Sequence, residues 1–301
     1  MPKDGNSTIG RKILRLTLFF FAVVALVIAS TYLFFAPVFH SDYIDSMLLH
    51  PLKNSADAPV QDQVLGIRAE AAQVPVSRGN KEVLISAAHY KLPHPKGLVI
   101  FSHGTGGNID IRFSKQNPRL SMLLKQGLEV LLYDYEGYGR SPGKASLRNL
   151  KDDCLAVYNY ALKLGFKPEN IFLYGESLGG GVSCMLAQEK PVRAIILDCT
   201  FTSPERLAKE LMPLAEIYPS FLFPEPRLDN LHYLQGNHPP CLIVAGKKDP
   251  TIPSSQSILL RRMAKPSADL LILPESYHCY LAENDLKTFE ATLTKFLKPF
   301  I

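Results

Sequence analysis

Ser177 is the residue whose setting most clearly indicates chemistry. The sequence Gly175-Glu176-Ser177-Leu178-Gly179 fits the pattern G-x-S-x-G and lies between two apolar runs. This context predicts a strand, a sharp turn and a helix, with small residues on both sides of the serine so that neighbouring backbones do not clash. Such a turn would lift the Ser177 hydroxyl above a sheet, which predicts a nucleophile. The structural alternative is a helix-start serine that acts only as an N-cap.

A serine hydroxyl becomes a good nucleophile only with a base and an orienting acid. Where a serine occupies such a strand-to-helix turn, the expected chain order is Ser, acid, His. Asp249 follows the apolar run CLIVA, and His278 follows the run LLIL just before the last predicted helix. We therefore predict Asp249 as the acid and His278 as the general base. Asp198, at the end of the run AIIL, is the competing acid.

Acyl transfer also needs hydrogen-bond donors for the oxyanion of the transition state. The backbone N–H of Leu178, directly after the nucleophile, is the first candidate. The second is the N–H of Thr105, in the glycine-rich sequence H-G-T-G-G-N that follows the run GLVIFS. A phosphate-binding loop is the alternative for a glycine-rich segment, but neither G-x-G-x-x-G nor a Walker pattern is present here. We predict an oxyanion hole and expect neither a metal nor a cofactor.

These residues must be positioned by the surrounding elements, which short apolar runs predict. From about residue 73 onward, strands and helices alternate, and fully apolar strands such as VLLY and AIIL suit parallel strands covered on both faces. The predicted strands are 74–77, 82–90, 97–102, 128–133, 171–174, 193–198, 241–245 and 270–273. The predicted helices lie at 43–49, within 112–126, and at 147–164, 177–188, 255–263 and 284–297.

This alternation predicts an α/β fold with a mostly parallel sheet and helices on both faces. In such sheets, functional residues collect beyond the carboxyl ends of the strands, where Ser177, Asp249 and His278 are expected. Thr200–Pro239, between the sixth and seventh predicted strands, would form a small cap rich in Leu, Tyr and Phe. These apolar residues either line an acyl-group site and dip toward a membrane, or simply cover the edge of the sheet.

Leu16–Ala36 is a run of 21 residues without charge. A helix of that length spans about 30 Å, the thickness of a bilayer core. We predict an uncleaved transmembrane signal anchor; a cleaved signal peptide is the alternative, although its apolar core is usually shorter. Lys3, Arg11, Lys12 and Arg15 precede the span, which predicts a cytoplasmic N-terminus and an extracytoplasmic catalytic domain.

The charge of the whole chain is consistent with this division. The net charge is +5, but 4 of the 33 basic residues and 1 of the 28 acidic residues lie in residues 1–15. The remainder carries 29 basic and 27 acidic residues, so no nucleic-acid partner is expected. The predicted organisation is a basic segment at 1–15, an anchor at 16–36, a linker at 37–72 and a catalytic domain at 73–301.

Several motifs together resemble the α/β-hydrolase superfamily. They are F-S-H-G-T-G-G-N, the Asp134–Ser141 sequence D-Y-E-G-Y-G-R-S, G-E-S-L-G, D-C-T-F-T-S, G-K-K-D and the late histidine. Residues 73–301 are most similar to small membrane-anchored serine hydrolases that are related to depalmitoylases and to serine aminopeptidase-like proteins. The resemblance implies an α/β-hydrolase fold, with a nucleophile elbow at Ser177.

The cysteines differ from this pattern. Depalmitoylases of the group carry a lipidated N-terminal cysteine cluster, whereas the first cysteine here is Cys154. This argues against depalmitoylation of cytosolic proteins, as does the predicted orientation. Five cysteines do not make a disulfide framework, and an odd number fits poorly with an oxidising compartment. Cys199 and Cys279 flank strand ends, the latter directly after His278.

The sequence predicts a membrane-tethered serine hydrolase of the esterase, thioesterase or lipase type, acting on an acyl-group or other small-molecule substrate. Peptidase activity on small peptides is one alternative. Another is a membrane-tethered binding protein that uses a hydrolase fold without catalysis, because a fold alone never fixes function.

Overall fold

The computed structural model describes residues 5–54, 63–112 and 118–301. Within these ranges, the strands are β1 His50–Pro51, β2 Gln63–Val64, β3 Ile67–Arg78, β4 Lys81–Tyr90, β5 Gly97–Ser102, β6 Gly106–Gly107, β7 Leu128–Tyr133, β8 Ile171–Glu176, β9 Ala194–Asp198, β10 Cys241–Gly246 and β11 Asp269–Leu273.

The α-helices of the described residues are α1 Gly5–Phe34, α2 Ser41–Leu48, α3 Ile109–Arg112, α4 Pro118–Lys125, α5 Leu147–Lys163, α6 Leu178–Glu189, α7 Pro204–Leu211, α8 Asn230–Gln235, α9 Ser254–Met263 and α10 Leu286–Leu297. Single 3-10 turns cover Pro37–His40, Pro168–Asn170, Pro213–Ile217, Ser220–Leu222 and Glu283–Asp285. Local sequence explains the ends of α5: the Ser146 side chain accepts a hydrogen bond from Asn149 N, and Gly165 follows the helix with φ +97°.

Nine strands of the described chain form one sheet, in the order β11-β10-β9-β8-β5-β7-β4-β3-β2. Strands β11 to β7 pair in parallel, whereas β4, β3 and β2 are added by antiparallel pairing. All six residues of the central strand β5 are buried, as expected for a strand covered on both faces. The sequence prediction of a mostly parallel sheet is confirmed.

Helices cover both faces of the sheet, so the core is divided in two. On β5, Leu98 and Ile100 belong to the cluster that includes side chains of α5, α6 and α9. Val99 and Phe101 belong to the opposite cluster, which includes side chains of α4 and α10. This alternation follows from the two-residue period of a strand, and it confirms the predicted helices on both faces.

Two predicted elements differ from the observed ones by more than two residues at one end. The first strand, predicted at 74–77, is part of the longer β3, because every residue from Ala69 to Arg78 pairs with β4. Polar residues at alternate positions on this partly exposed strand hid its length. The helix predicted within 112–126 is α4, which starts at Pro118; residues 113–117 lie outside the described part of the chain.

The first part of the segment predicted as a linker, 37–72, packs on the domain. Leu49 belongs to the hydrophobic core, and Asp45 Oδ1 accepts a hydrogen bond from Leu147 N at 3.0 Å. His50 and Pro51 pair in parallel with Gly106 and Gly107. The predicted short helix is present as α2 and takes part in this packing; the division of the chain at residue 73 stays a prediction. Residues 55–62 of the predicted linker lie outside the described ranges.

The N-terminal helix α1 contains a stretch, Arg11–Phe34, that is long and apolar enough to cross a membrane. None of this stretch is buried against the rest of the chain, although a signal sequence meets the same criteria of length and composition. The helix ends at Phe34, two residues before the predicted end, because Ala36 precedes Pro37 and adopts an extended conformation. Lys3, which belongs to the predicted basic segment, lies outside the described residues.

Candidate active site

Ser177 occupies a strained turn between β8 and α6. Its φ is +55°, a region that non-glycine residues rarely adopt. The two glycines of the motif are required by close backbone packing. A Cβ added at Gly175 would lie 2.3 Å from the Gly179 carbonyl oxygen, and one added at Gly179 would lie 1.9 Å from the Ser102 carbonyl oxygen. The local sequence thus forms the sharp turn that the motif predicts.

The structure brings Ser177, His278 and Asp249 together in one hydrogen-bonded chain. Ser177 Oγ lies 3.0 Å from His278 Nε2, and His278 Nδ1 lies 2.7 Å from Asp249 Oδ2. The three residues come from the ends of three parallel strands, β8, β10 and β11. This arrangement has the geometry in which a serine hydroxyl transfers its proton to an imidazole that a carboxylate orients.

The Asp249 carboxylate is held by the backbone that follows it. Its Oδ1 accepts hydrogen bonds from Thr251 N and Ile252 N, both at 2.8 Å, which leaves Oδ2 for the imidazole. Asp249 is buried, whereas the His278 side chain keeps 21% of its surface exposed. The predicted base, His278, is therefore reachable from solvent, while the predicted acid, Asp249, is shielded and fixed.

Asp198, the competing acid, belongs to a different network. Its Oδ2 accepts hydrogen bonds from Arg119 Nε at 2.6 Å and from the Tyr174 hydroxyl at 2.5 Å. Burial by itself would lower the pKa of Arg119, but the neighbouring Asp198 carboxylate raises that pKa well above its ordinary value. Asp198 therefore compensates a buried cation, while Asp249 is the carboxylate that contacts His278.

Arg119 and its contacts were not predicted from the sequence. Besides Asp198, Arg119 contacts the loop that carries the base, because its Nη1 donates to the Cys279 carbonyl oxygen at 3.3 Å. The available signal was the spacing of Arg119, which lies one helical turn before Leu123 on α4. A buried charge at such a position indicates a partner elsewhere in the fold.

The loop predicted to supply one oxyanion donor is held firmly by its neighbours. The Thr105 carbonyl oxygen accepts hydrogen bonds from His50 N and from the Tyr138 hydroxyl, both at 3.0 Å. The Thr105 hydroxyl donates to the Leu48 carbonyl oxygen. Leu178, the other predicted donor residue, is the first residue of α6 and follows Ser177 directly. The oxyanion roles of both amides stay predictions.

The D-Y-E-G-Y-G-R-S segment supports the same loop. The Tyr135 hydroxyl donates to the His103 carbonyl oxygen at 2.8 Å, and Ser141 Oγ donates to the Asp134 carbonyl oxygen at 2.8 Å. A Cβ at Gly139 would lie 2.0 Å from Asp134 Oδ2, so this glycine allows the close approach. Burial raises the pKa of Asp134 to about 7. The motif thus has a structural role beside the candidate site.

An apolar groove of about 630 Å³ lies between the cap and the residues that follow α1. Ile44 and Leu48 line one side, and Ala208 and Met212 line the other. Because the Leu48 carbonyl oxygen accepts the Thr105 hydroxyl hydrogen bond, the groove adjoins the loop of the candidate oxyanion donor. The groove is formed largely by residues that the sequence prediction assigned to a linker and a cap.

Comparison with known proteins supports this assignment of fold. The family described as alpha/beta hydrolase fold matches residues 97–223. The uncharacterized protein YfhR of Escherichia coli K12 is 27% identical over 241 residues, covering 78% of each chain. The human alpha/beta hydrolase domain-containing protein 17B is 27% identical over 210 residues, covering 69% of this chain and 67% of the human one.

Solved structures show the same architecture. The esterase Pf2001 of Pyrococcus furiosus has a TM-score of 0.65 at 18% identity, and the match covers 84% of this chain and 98% of the esterase. Est1E of Butyrivibrio proteoclasticus, solved with ferulic acid, has a TM-score of 0.59 at 20% identity, with 75% and 98% covered. The matching family model and these similarities agree with the observed architecture: the chain has an α/β-hydrolase fold.

Proposed function

We propose that this protein is a serine hydrolase that cleaves ester or thioester bonds of acyl substrates. The observation that carries the proposal is the continuous hydrogen-bonded chain from Ser177 Oγ through His278 to Asp249 Oδ2. The three residue types, their chain order and their contacts match what nucleophilic acyl transfer requires.

In the proposed reaction, Ser177 Oγ attacks the substrate carbonyl carbon while His278 Nε2 takes the hydroxyl proton. Asp249 accepts the Nδ1–H hydrogen bond and so stabilises the imidazolium that forms. The backbone amides of Thr105 and Leu178 would donate to the developing oxyanion. His278 then gives its proton to the leaving alcohol or thiol. Water attacks the acyl-enzyme as His278 takes its proton, and His278 returns a proton to Ser177 Oγ as the acid is released.

The groove beside the site favours an apolar acyl group as the substrate. Its volume of about 630 Å³ is within the usual range of ligand sites. Aromatic side chains of the cap, Tyr218 and Phe223, contribute to its walls, together with Phe35 from the residues after α1. Transfer of a hydrocarbon chain from water into a preformed apolar groove is favourable, because apolar surface is removed from water.

A membrane location would suit such a substrate. We propose that residues 16–36 anchor the protein, with residues 1–15 in the cytoplasm and the hydrolase domain on the extracytoplasmic side. The end of α1 contacts the cap: the Tyr32 hydroxyl donates to the Ile217 carbonyl oxygen at 2.9 Å, and the Tyr32 and Tyr218 rings stack at 4.9 Å. On the cap, Leu214 and Phe221 are 80% and 71% exposed, as expected for residues that meet a lipid surface.

The test is hydrolysis of nitrophenyl acyl esters of graded chain length by the full-length protein in detergent. We expect turnover that disappears in Ser177→Ala, with higher kcat/KM for medium and long chains. Ala208→Phe, which fills the groove, should lower kcat/KM for long chains while short-chain turnover is kept. Equal turnover by the parent protein and Ser177→Ala would contradict the proposed function, as would activity only on aminoacyl amides.

A further inference from the structure

Three of the five cysteines belong to the hydrophobic core cluster, whereas Cys199, also only 2% exposed, lies outside that cluster. Cys154 lies in α5, Cys184 in α6 and Cys241 at the start of β10, each at most 2% exposed. Burial raises the pKa of all three thiols well above the ordinary value. A thiol with a raised pKa and no access to solvent is unreactive, so these three cysteines stay reduced even in an oxidising medium.

The other two cysteines face each other across the candidate active site. Cys199 follows β9, Cys279 lies in the loop after β11, and their Sγ atoms are 2.9 Å apart although 80 residues separate them in the chain. Both residues have a positive φ, +45° for Cys199 and +54° for Cys279. Such backbone conformations are rare for residues with a side chain and cluster at functional sites, as the φ of Ser177 also illustrates.

The two cysteines belong to the two segments that position the nucleophile and the base. Cys199 lies between Asp198, whose carbonyl oxygen accepts Ser177 N at 2.9 Å, and Thr200, whose hydroxyl donates to the Ser177 carbonyl oxygen at 2.8 Å. Cys279 directly follows His278. A covalent bond between them would join the turn behind the nucleophile to the loop of the base.

We propose that Cys199 and Cys279 form a disulfide bond when the domain is in an oxidising compartment. The oxidant is a disulfide, either of a small molecule or of a thiol oxidoreductase. Cys279, the more exposed of the two, attacks one sulfur of this disulfide as its thiolate and releases the first thiol. Cys199 then attacks the mixed disulfide and releases the second. Two protein thiols become one disulfide, and the oxidant accepts the two electrons and two protons as two thiols.

The crosslink would reconcile the odd number of cysteines with an oxidising compartment, because two cysteines are joined and the other three are inaccessible. It would also restrain the loop of His278 with only a small shift of the sulfurs, since they are 2.9 Å apart while Ser177 and His278 are in hydrogen-bond contact. On the basis of the proposed function, we expect the oxidised protein to hold its activity at higher temperature than the reduced protein. The crosslink itself does not depend on that function.

The test treats the full-length protein in detergent with oxidised glutathione, then denatures it, alkylates the remaining thiols and maps the peptides. We expect a linked peptide pair containing Cys199 and Cys279, alkylated Cys154, Cys184 and Cys241, and a Tm at least about 5 °C above that of the reduced protein. Cys199→Ala and, separately, Cys279→Ser should remove both the linked pair and the rise in Tm. Cys184→Ala is the matched control and should keep both.

The proposal is overturned if Cys199 and Cys279 are both alkylated after oxidation while the protein remains folded. It is also overturned if the two thiols of the reduced protein resist alkylation until a chelator is added. That result would assign the cluster to a thiophilic metal, because Cys199, His278 and Cys279 have ligand atoms within 4.8 Å of one another. The peptide map reads out the crosslink even if no ester is hydrolysed, so failure of this proposal and of the proposed function are distinguished.

Discussion

Two carboxylates at neighbouring strand ends have different partners, and this difference determines what each contributes. Asp249 contacts His278 and accepts two backbone N–H groups, whereas Asp198 pairs with the buried Arg119. Both residues follow apolar strands, so sequence placement alone left them as competitors. The distinction required the positions of Arg119 and Tyr174, which come from other parts of the chain.

Replacing each carboxylate by its amide should therefore have opposite consequences. Asp249→Asn should lower kcat by about four orders of magnitude with little change in Tm, because the imidazole loses the acceptor that fixes its tautomer. Asp198→Asn should instead destabilise the fold by about 3–5 kcal/mol, because Arg119 is left as an uncompensated buried charge. Steady-state kinetics and denaturant unfolding of the two variants check this; the reverse pattern would assign the acid to Asp198.

Asp134 gives a pH dependence of stability with a defined sign. Burial raises its pKa from 3.8 to about 7, with a smaller raising effect from Asp110 and an opposing one from Arg140. The folded state therefore holds a proton that the unfolded state releases, and stability falls as pH rises from about 4 to about 7. The loss from this group should be on the order of 4 kcal/mol.

In Asp134→Asn the side chain is uncharged throughout, and its oxygen can still accept from Ile109 N as Asp134 Oδ1 does. We expect the unfolding free energy of this variant to decline less between pH 4 and 7, because the contribution of Asp134 is absent. Urea unfolding at a series of pH values measures this free energy. An unchanged pH profile in the variant would show that Asp134 is ionised in the folded protein throughout this range.

At the scale of elements, the turn at Ser177 depends on glycine packing. Gly179→Ala would place a methyl group 1.9 Å from the Ser102 carbonyl oxygen, so α6 and β5 would have to separate. We expect a loss of stability of about 3 kcal/mol or more, or no folded protein. Gly236→Ala is the matched control, since its nearest neighbour would be 3.5 Å away, an ordinary contact. Equal Tm values for the two variants would show that the turn is not closely packed.

Most elements of the fold could be predicted because the parallel strands are apolar and buried on both sides. The strands β5, β7 and β8 begin where the apolar runs begin. The cap helices α7 and α8 were missed, since they are short and polar on one side. For α7, the sequence Ser203-Pro204-Glu205 carried a helix-start signal: the Ser203 side chain accepts from Arg206 N, with proline at the first turn.

The docking of part of the predicted linker could not be predicted from the sequence, for a related reason. Residues 41–51 dock onto the domain through few contacts, among them Asp45 with Leu147 N and the pairing of β1 with β6. Each contact joins segments about 50 to 100 residues apart in the chain, so no local pattern reveals it. The groove beside the candidate site depends on this docking, and sequence periodicity therefore could not predict the groove.

For the whole molecule, the uneven charge and the exposed apolar helix point to a membrane. Removal of residues 1–36 should release the protein from the membrane, because the apolar stretch of α1 is exposed except at Tyr32 and can therefore be covered by lipid. Flotation of lysates on a density gradient measures the membrane association. The comparison variant replaces Arg11, Lys12 and Arg15 by glutamine and keeps the apolar stretch. Flotation of the truncated protein with lipid would contradict the role of this helix as the anchor.

We propose that Ser177 is the nucleophile of a working active site. The most direct measurement is labelling of the detergent-solubilised full-length protein by a fluorophosphonate probe, followed by peptide mapping. We predict that the label is on Ser177 and that Ser177→Ala is unlabelled at an unchanged Tm. Ser183 is a buried serine on α6, the helix that follows Ser177, and the variant Ser183→Ala should be labelled like the parent protein. Labelling of a folded Ser177→Ala protein as strong as that of the parent would contradict the account.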